Sequence, residues 1–361
     1  MITVDIQLGD GRTLSSSLTG IHITSTAGGT VKVTILLDTD VLLDETYYPT
    51  DGVVDILDLK NLIQPLMRKR KEAAMAVSVK EFDQGGTQTA SALKAGTVVY
   101  CDVAVDGSAD DFLAYNFLTV AGTRRITYRG SVDLLYTYSK APEKASVTAV
   151  CLKNGKLEVK TASLSEQARH GRYTSYATGE SDIRESLGVG DDVCIGEYSI
   201  TVGGRSVTYT VGSEDMRGRQ AIAFVNAFGV TDMVPALGKV EEKANPERSI
   251  LTVGGVQRMY GVKSKTVMTV HSGVTHVLSR PLWVDLLNSE DVKLVRYGYE
   301  NGPEAIDVVV TDADVKWDDS HTEIESVSVT VEAKQPYSRK LGGTRQTPHR
   351  VFDYTFDKTF E

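Results

Sequence analysis

Three carboxylates, Asp312, Asp314 and Glu323, stand at the spacing of the first, third and last positions of a calcium-binding loop. Lys316 and Trp317 fill the fifth and sixth positions, where such a loop needs an oxygen ligand and a glycine, so the segment reads as a solvated turn beside a strand. The nearest approach to a phosphate cradle is Gly188-Val189-Gly190-Asp191-Asp192-Val193. It lacks the third glycine and puts two carboxylates where phosphate oxygens would sit. No Gly-x-Ser-x-Gly elbow occurs, and no Ser or Cys stands in a signature for an activated nucleophile. His271 and His276 are five apart, on opposite faces of a strand and poorly matched on a helix, so they read as surface or satisfied core rather than as ligands of one ion. Cys101, Cys151 and Cys194 are odd in number and contain no C-x-x-C pair, which argues against a disulfide framework or zinc site and for small core residues. Asp/Glu pairs suited to glycoside hydrolysis must face each other across a cleft, which sequence spacing does not report. The expectation is no catalytic residue, no cofactor and no metal.

Charge narrows the partners. The 39 Lys and Arg against 48 Asp and Glu give a formal net charge of −9, which opposes binding to a phosphate backbone, so no nucleic-acid partner is expected. The run Arg68-Lys69-Arg70-Lys71 falls at the end of a predicted helix, where cations complement the macrodipole. The second basic stretch is different. Residues 335–352 hold Arg339, Lys340, Arg345 and Arg350 with no Asp or Glu, together with Gly342-Gly343 and two prolines. Beyond it Phe352, Tyr354 and Phe356 alternate with Asp353 and Thr355, the period of a strand with one aromatic face. This reads either as a last strand of its own domain or as an exchange arm on a basic leash. The arm would add a strand to a neighbouring subunit's sheet, with Phe352, Tyr354 and Phe356 as anchors and the four cations against an acidic neighbour.

The elements that would position such groups are mostly strands. Thirty-two glycines against nine prolines punctuate short Val/Ile/Thr/Tyr runs. Ile2, Val4, Ile6 and Leu8 alternate with polar residues, and strands follow at 21–23, 31–37 and 41–47, with hairpin turns read at 27–29 and 38–40. A helix is predicted from Asp58 as cap through Leu59, Leu62, Ile63 and Leu66, kinked or split at Pro65. Strands resume at 76–82, 97–105 and 126–138, with a helical turn at 110–113. Hairpins close on Asn154-Gly155 and Gly203-Gly204. Later, a polar loop is read at 239–248, strands at 250–256 and 265–270, and a helix over 279–287 with Ser279 as cap and Leu282, Leu286 and Leu287 buried. Three strands complete this block at 292–297, 305–310 and 325–333.

The length of 361 residues suits two or three domains. The polar break at 139–144 and a second near 213–219 suggest residues 1–143 as a β-rich domain, 144–215 as a small all-β module, 216–334 as a β-rich domain with one helix, and 335–361 as the arm. The fold class expected is mainly β: sandwich-like or barrel-like modules with a few short helices. No apolar run approaches the ~18 residues of a membrane span, so no membrane insertion is expected. The opening residues carry no basic leader followed by a long apolar stretch, so no secretory signal is expected there.

The strand at the first residues, the segment Tyr47-Tyr48-Pro49-Thr50-Asp51-Gly52-Val53-Val54-Asp55-Ile56-Leu57-Asp58-Leu59, the segment Phe224-Val225-Asn226-Ala227-Phe228-Gly229-Val230, and Pro281-Leu282-Trp283-Val284-Asp285-Leu286-Leu287-Asn288-Ser289 before Val292-Lys293-Leu294 resemble structural proteins of tailed-bacteriophage tails and baseplates, of the kind carried by phages and prophages of gut Bacteroidetes. The resemblance touches both large blocks and leaves the middle module uncovered. It implies a non-catalytic homo-oligomer in a ring or sheath-like layer of the virion tail, partnered with itself and other tail or baseplate proteins and made in the bacterial host cytoplasm. The alternative is a module binding a host glycan or receptor on platforms drawn from 16 tyrosines and from Trp283 and Trp317.

Overall fold

The computed structural model describes residues 2–9, 11–253, 255–298, 303–317 and 325–334. Among these the protein is mainly β, with 23 strands in five sheets and four short α-helices. Its contacts divide the chain into two compact units: Met1–Asn116 with Ala227–Gly229, and Phe117–Asn226 with the described residues from Val230 onward.

The strands of the first unit are β1 (Ile2–Asp5), β2 (Arg12–Leu14), β3 (Gly20–Ser25), β4 (Gly28–Leu37), β5 (Asp40–Tyr47), β6 (Val53–Leu57), β7 (Glu72–Asp83) and β8 (Gln88–Val99). Helix α1 (Leu59–Arg70) precedes β7, and α2 (Ala109–Tyr115) follows β8. They form a β1-β3-β6 sheet and a β2-β8-β7-β4-β5 sheet around one core that includes Ile23, Val33, Ile35, Ile63 and Val77. The expected hairpin at 27–29 is not one, because β3 and β4 belong to different sheets and the chain crosses between them there. Glu81 on β7 fixes that crossing. Buried, it accepts hydrogen bonds from Ser25 Oγ at 2.8 Å, Thr26 N at 2.8 Å and Ala27 N at 3.1 Å. Gly29 is obligatory at this crossing, since a Cβ there would lie 2.2 Å from the Phe82 carbonyl oxygen.

Helix α1 runs unbroken through Pro65, where a kink is expected from the lost hydrogen bond. Leu59, Ile63 and Met67, one stripe at i, i+4 and i+8, are fully buried and hold it against the sheet, while Leu62 is exposed. Asp58 does not cap the helix: it sits in the left-handed region at φ 57° and its side chain makes no cap hydrogen bond.

The second unit contains β9 (Arg124–Arg129), β10 (Leu134–Tyr138), β11 (Ala145–Lys153), β12 (Lys156–Leu164), β13 (Ala168–His170), β14 (Tyr173–Ala177), β15 (Cys194–Val202) and β16 (Arg205–Asp215). It continues with β17 (Gln220–Val225), β18 (Thr231–Ala236), β19 (Val240–Val253), β20 (Val256–His271), β21 (Val292–Arg296), β22 (Glu304–Lys316) and β23 (Ser326–Ala333). Helices α3 (Glu180–Ser186) and α4 (Arg280–Leu287) lie among them. The sheets run β10-β14-β13, β12-β11-β15-β16-β9 and β18-β17-β21-β22-β23-β20-β19. The five-stranded sheet draws four strands from residues 145–215 and a fifth, β9, from upstream, pairing parallel with β16.

Asn154 and Gly155, at φ 49° and 75°, make the predicted tight hairpin between β11 and β12. Three sequence expectations are corrected. The polar stretch read as a loop at 239–248 is strand from Val240 onward, because β19 pairs with β20 over its whole length and needs no buried face to do so. Asp312 and Asp314 lie within β22 rather than in a turn, and Glu323 lies outside the described residues. In α4, Trp283 is buried beside Leu282 and Leu286, whereas Leu287 is only partly buried. Gly188 at φ 61° closes α3, its N–H donating to the Glu185 carbonyl, so the glycines of 188–193 end a helix instead of opening one.

Candidate functional site

The densest arrangement of ionisable groups lies inside the second unit. Arg125 on β9 is 4% exposed and stands between two buried carboxylates, Asp133 and Asp232. Its Nη1 is 3.5 Å from Asp133 Oδ2 and 3.6 Å from Asp232 Oδ1, and its Nη2 donates to Thr119 Oγ1 at 2.7 Å. The parallel pairing of β9 with β16 sets Arg125 opposite Tyr209, whose hydroxyl donates to Asp133 Oδ2 at 2.9 Å. Asp232 Oδ2 accepts from Thr119 Oγ1 at 2.7 Å and from Asn226 Nδ2 at 2.9 Å. Leu134 N donates to Asp133 Oδ1 at 2.9 Å.

Burial, opposed by Arg125 and reinforced by the Asp232 charge, pushes the Asp133 carboxyl up to about 6. Burial also raises Asp232, against the pull of Arg125. A carboxyl titrating near neutrality has the right acidity for proton transfer. The space beside it is small: the cavity lined by Arg125, Ser131, Asp133, Tyr209 and Tyr297 has a volume of about 30 Å³, room for ordered water. The network ties together β9, β16, β18 and the segments at 119, 133 and 226. Nothing in the sequence marks it, because each member is a lone residue within a stretch of more than a hundred positions.

The sequence-predicted groups fall elsewhere. Phe352, Tyr354, Phe356, Arg339, Lys340, Arg345 and Arg350 lie outside the described residues. In the run 68–71, Arg70 pairs with Asp38 at 3.1 Å and with Asp40, clamping the β4–β5 turn, and burial pushes the Lys71 ammonium down to about 8. Cys101 and Cys151 are buried as expected, but Cys194, first residue of β15, is exposed. Neither tryptophan offers a bare platform: Trp283 is in the core, and the Arg280 guanidinium lies 5.0 Å over the Trp317 ring. Among the described residues no group of three His, Cys, Asp or Glu side chains converges, and no helix is long and apolar enough to cross a membrane.

Two exposed features stand out instead. The β19–β20 hairpin is 14 and 16 residues long, yet among the described residues β20 pairs with β23 only over Val267–His271. Beyond that contact it is a two-stranded ribbon whose far part exposes Ile250, Leu251, Val256 and Met259. The other is β12, an edge strand with Leu157 and Val159 74% and 71% exposed.

No protein-family model and no curated protein sequence matches the chain. Among solved structures it is similar to a chain of the tail of an empty gene transfer agent particle, a helical assembly of C6 symmetry, at 13% identity and TM-score 0.23, over 29% of this chain and 82% of that one. It is also similar to a chain of the virion of the native gene transfer agent particle, at 12% identity and TM-score 0.23, over 31% of this chain and 91% of that one.

Proposed function

We propose that this protein is a non-catalytic structural component of a phage or phage-like tail or baseplate, assembling with copies of itself into a ring or sheath-like layer and contacting other tail proteins. The observation that carries the reading is the β19–β20 ribbon, whose strands extend far past their last sheet partner and expose apolar side chains at the far part. A solvated ribbon of this length gains little by itself and gains packing when a neighbour covers it. The resemblance of segments 47–59, 224–230 and 281–294 to tail proteins supplies the particle, the virion as location and the host cytoplasm as site of synthesis. Residues 335–361 act as the exchange arm, with Phe352, Tyr354 and Phe356 as anchors and Arg339, Lys340, Arg345 and Arg350 on the leash.

The test is the native mass of the purified chain, read by light scattering and electron microscopy, before and after removal of residues 336–361. A defined ring that dissociates on truncation while the units stay folded is expected, because three buried aromatics contribute ~1.5–3 kcal/mol each to association. A full-length chain that stays monomeric and is retained on a glycan array sinks the reading.

A further inference from the structure

We infer that the open edge of β12 is the acceptor for the 352–357 strand of a second copy; the inference rests on the reading of residues 335–361 as an exchange arm. Among the described residues, β12 of the second unit's five-stranded sheet pairs with β11 on one side only. An edge of this kind presents unpaired N–H and C=O groups to any incoming strand. Its outer face continues as an apolar patch. Val150 pairs with Val159 and Leu152 with Leu157, and all four are exposed, Leu157 and Val159 most of all. On the opposite face of β12 the order is Lys156, Glu158, Lys160, and among the described residues neither lysine makes an ion pair.

The sequence of the arm answers both faces. With Thr355 set opposite Glu158, Asp353 and Asp357 fall opposite Lys156 and Lys160, whichever direction the added strand runs, because both pairs are four residues apart. The same register brings Tyr354 and Phe356 opposite Leu157 and Val159 in either direction, so aromatics extend the apolar face while carboxylates meet ammonium groups on the other. A one-residue slip would put aspartates on the apolar face and aromatics against the lysines. The 17 residues 335–351 reach up to about 60 Å when extended at ~3.3–3.6 Å each, ample for a neighbouring subunit.

The test uses charge exchange in the full-length chain, with association measured by analytical ultracentrifugation and folding checked by circular dichroism. The double variants K156E/K160E and D353K/D357K should each associate about tenfold or more weakly, since two attractive cross-strand pairs become repulsive. The quadruple variant should recover, and so should an equimolar mixture of the two doubles, in which each edge meets the other chain's complementary strand. Recovery of the quadruple without recovery of the mixture overturns the second copy and places the strand on its own sheet. Unchanged association in both doubles overturns β12 as the acceptor; if removal of residues 336–361 still abolishes association, the arm reading survives that failure. If the removal changes nothing, the arm reading itself falls.

Discussion

Glu81 in the first unit and Asp133 in the second are both buried carboxylates, yet Glu81 is held down at about 2 and Asp133 pushed up to about 6. Burial works in the same direction on both, raising each. At Glu81 it is overcome by hydrogen bonds from Ser25, Thr26, Ala27 and Thr89, two of them from backbone N–H groups that the strand crossing would otherwise leave unpaired. Asp133 has Tyr209 and Leu134 as donors, shares Arg125 with a second carboxylate, and feels that carboxylate's charge. Four donors at Glu81, against two donors, a like-charged neighbour and a more deeply enclosed position at Asp133, set the opposite directions. One unit thus uses a carboxylate as a fixed acceptor for a backbone crossing; the other holds two around a single cation.

The comparison is broken most forcefully at the cation. Replacing Arg125 by Met leaves Asp133 and Asp232 buried together without a counter-ion, and removing one partner of a buried ionic group costs ~3–5 kcal/mol. The denaturant midpoint of the second unit should drop sharply while that of the first is unchanged. An apolar yardstick for the same unit is Leu286→Ala on α4: this leucine is fully buried in a core with Trp283 and Leu294, and its loss should cost ~2–5 kcal/mol. A Leu286→Ala chain as stable as the parent would mean that the α4 face is not packed as described.

Glu81→Gln is the matching change in the first unit. The shape survives and the charge does not, so the charge-assisted bonds to Ser25, Thr26 and Ala27 weaken, with an expected loss of ~1.5–3 kcal/mol from the first unit alone. Acid sharpens the contrast further because the two shifts have opposite sign. Glu81, depressed in the folded chain, contributes stability that is present above its unfolded value near ~4.3 and is lost as pH falls through about 2. Asp133 is raised, so its contribution is fully present below an unfolded value near ~3.9 and is lost as pH rises through about 6; Asp182, also raised to about 6 chiefly by burial, works in the same sense. Thermal scans should therefore show the second unit gaining stability between neutrality and pH ~4, a gain that Asp133→Asn reduces and leaves Asp182 to supply in part. A second unit indifferent to pH over that range would refute the raised carboxyls.

How far the sequence could be read depended on whether the information was local. The β11–β12 turn was legible because Asn154-Gly155 supplies two residues that tolerate positive φ, and α2 because Asp110 and Asp111 make an acidic first turn ahead of Phe112 and Leu113. The β19 strand was hidden by its polarity, since a ribbon paired only with its neighbour needs no apolar alternation. The crossing at 26–29 looked like a hairpin because glycines mark both, and what distinguishes them is Glu81, more than fifty residues away. The Arg125 network was illegible for the same reason: Thr119, Asp133, Tyr209, Asn226 and Asp232 meet only once the sheets have formed. The candidate edge, by contrast, has both halves of its pattern in plain sequence, but only the fold identifies β12 as unpaired on one side.

Asp58 is the carboxylate on which the smallest effect is expected, and it serves as the control for the other two. By position it is the natural cap of α1, and losing a cap typically costs ~0.5–2 kcal/mol. In the structure it is exposed, its side chain accepts no cap hydrogen bond, and its backbone sits at φ 57°. Asp58→Asn keeps a side chain that tolerates the left-handed region and removes only the charge, so stability should stay within about 0.5 kcal/mol of the parent. Asp58→Gly removes the steric penalty of that conformation as well, which offsets the added freedom of the unfolded chain. Both are read from the unfolding midpoint of the first unit. A loss of the size expected at Glu81 in the Asn variant would show that an exposed carboxylate without donors does the same work as a buried one with four, and the distinction drawn between Glu81 and Asp133 by donor count would fail with it.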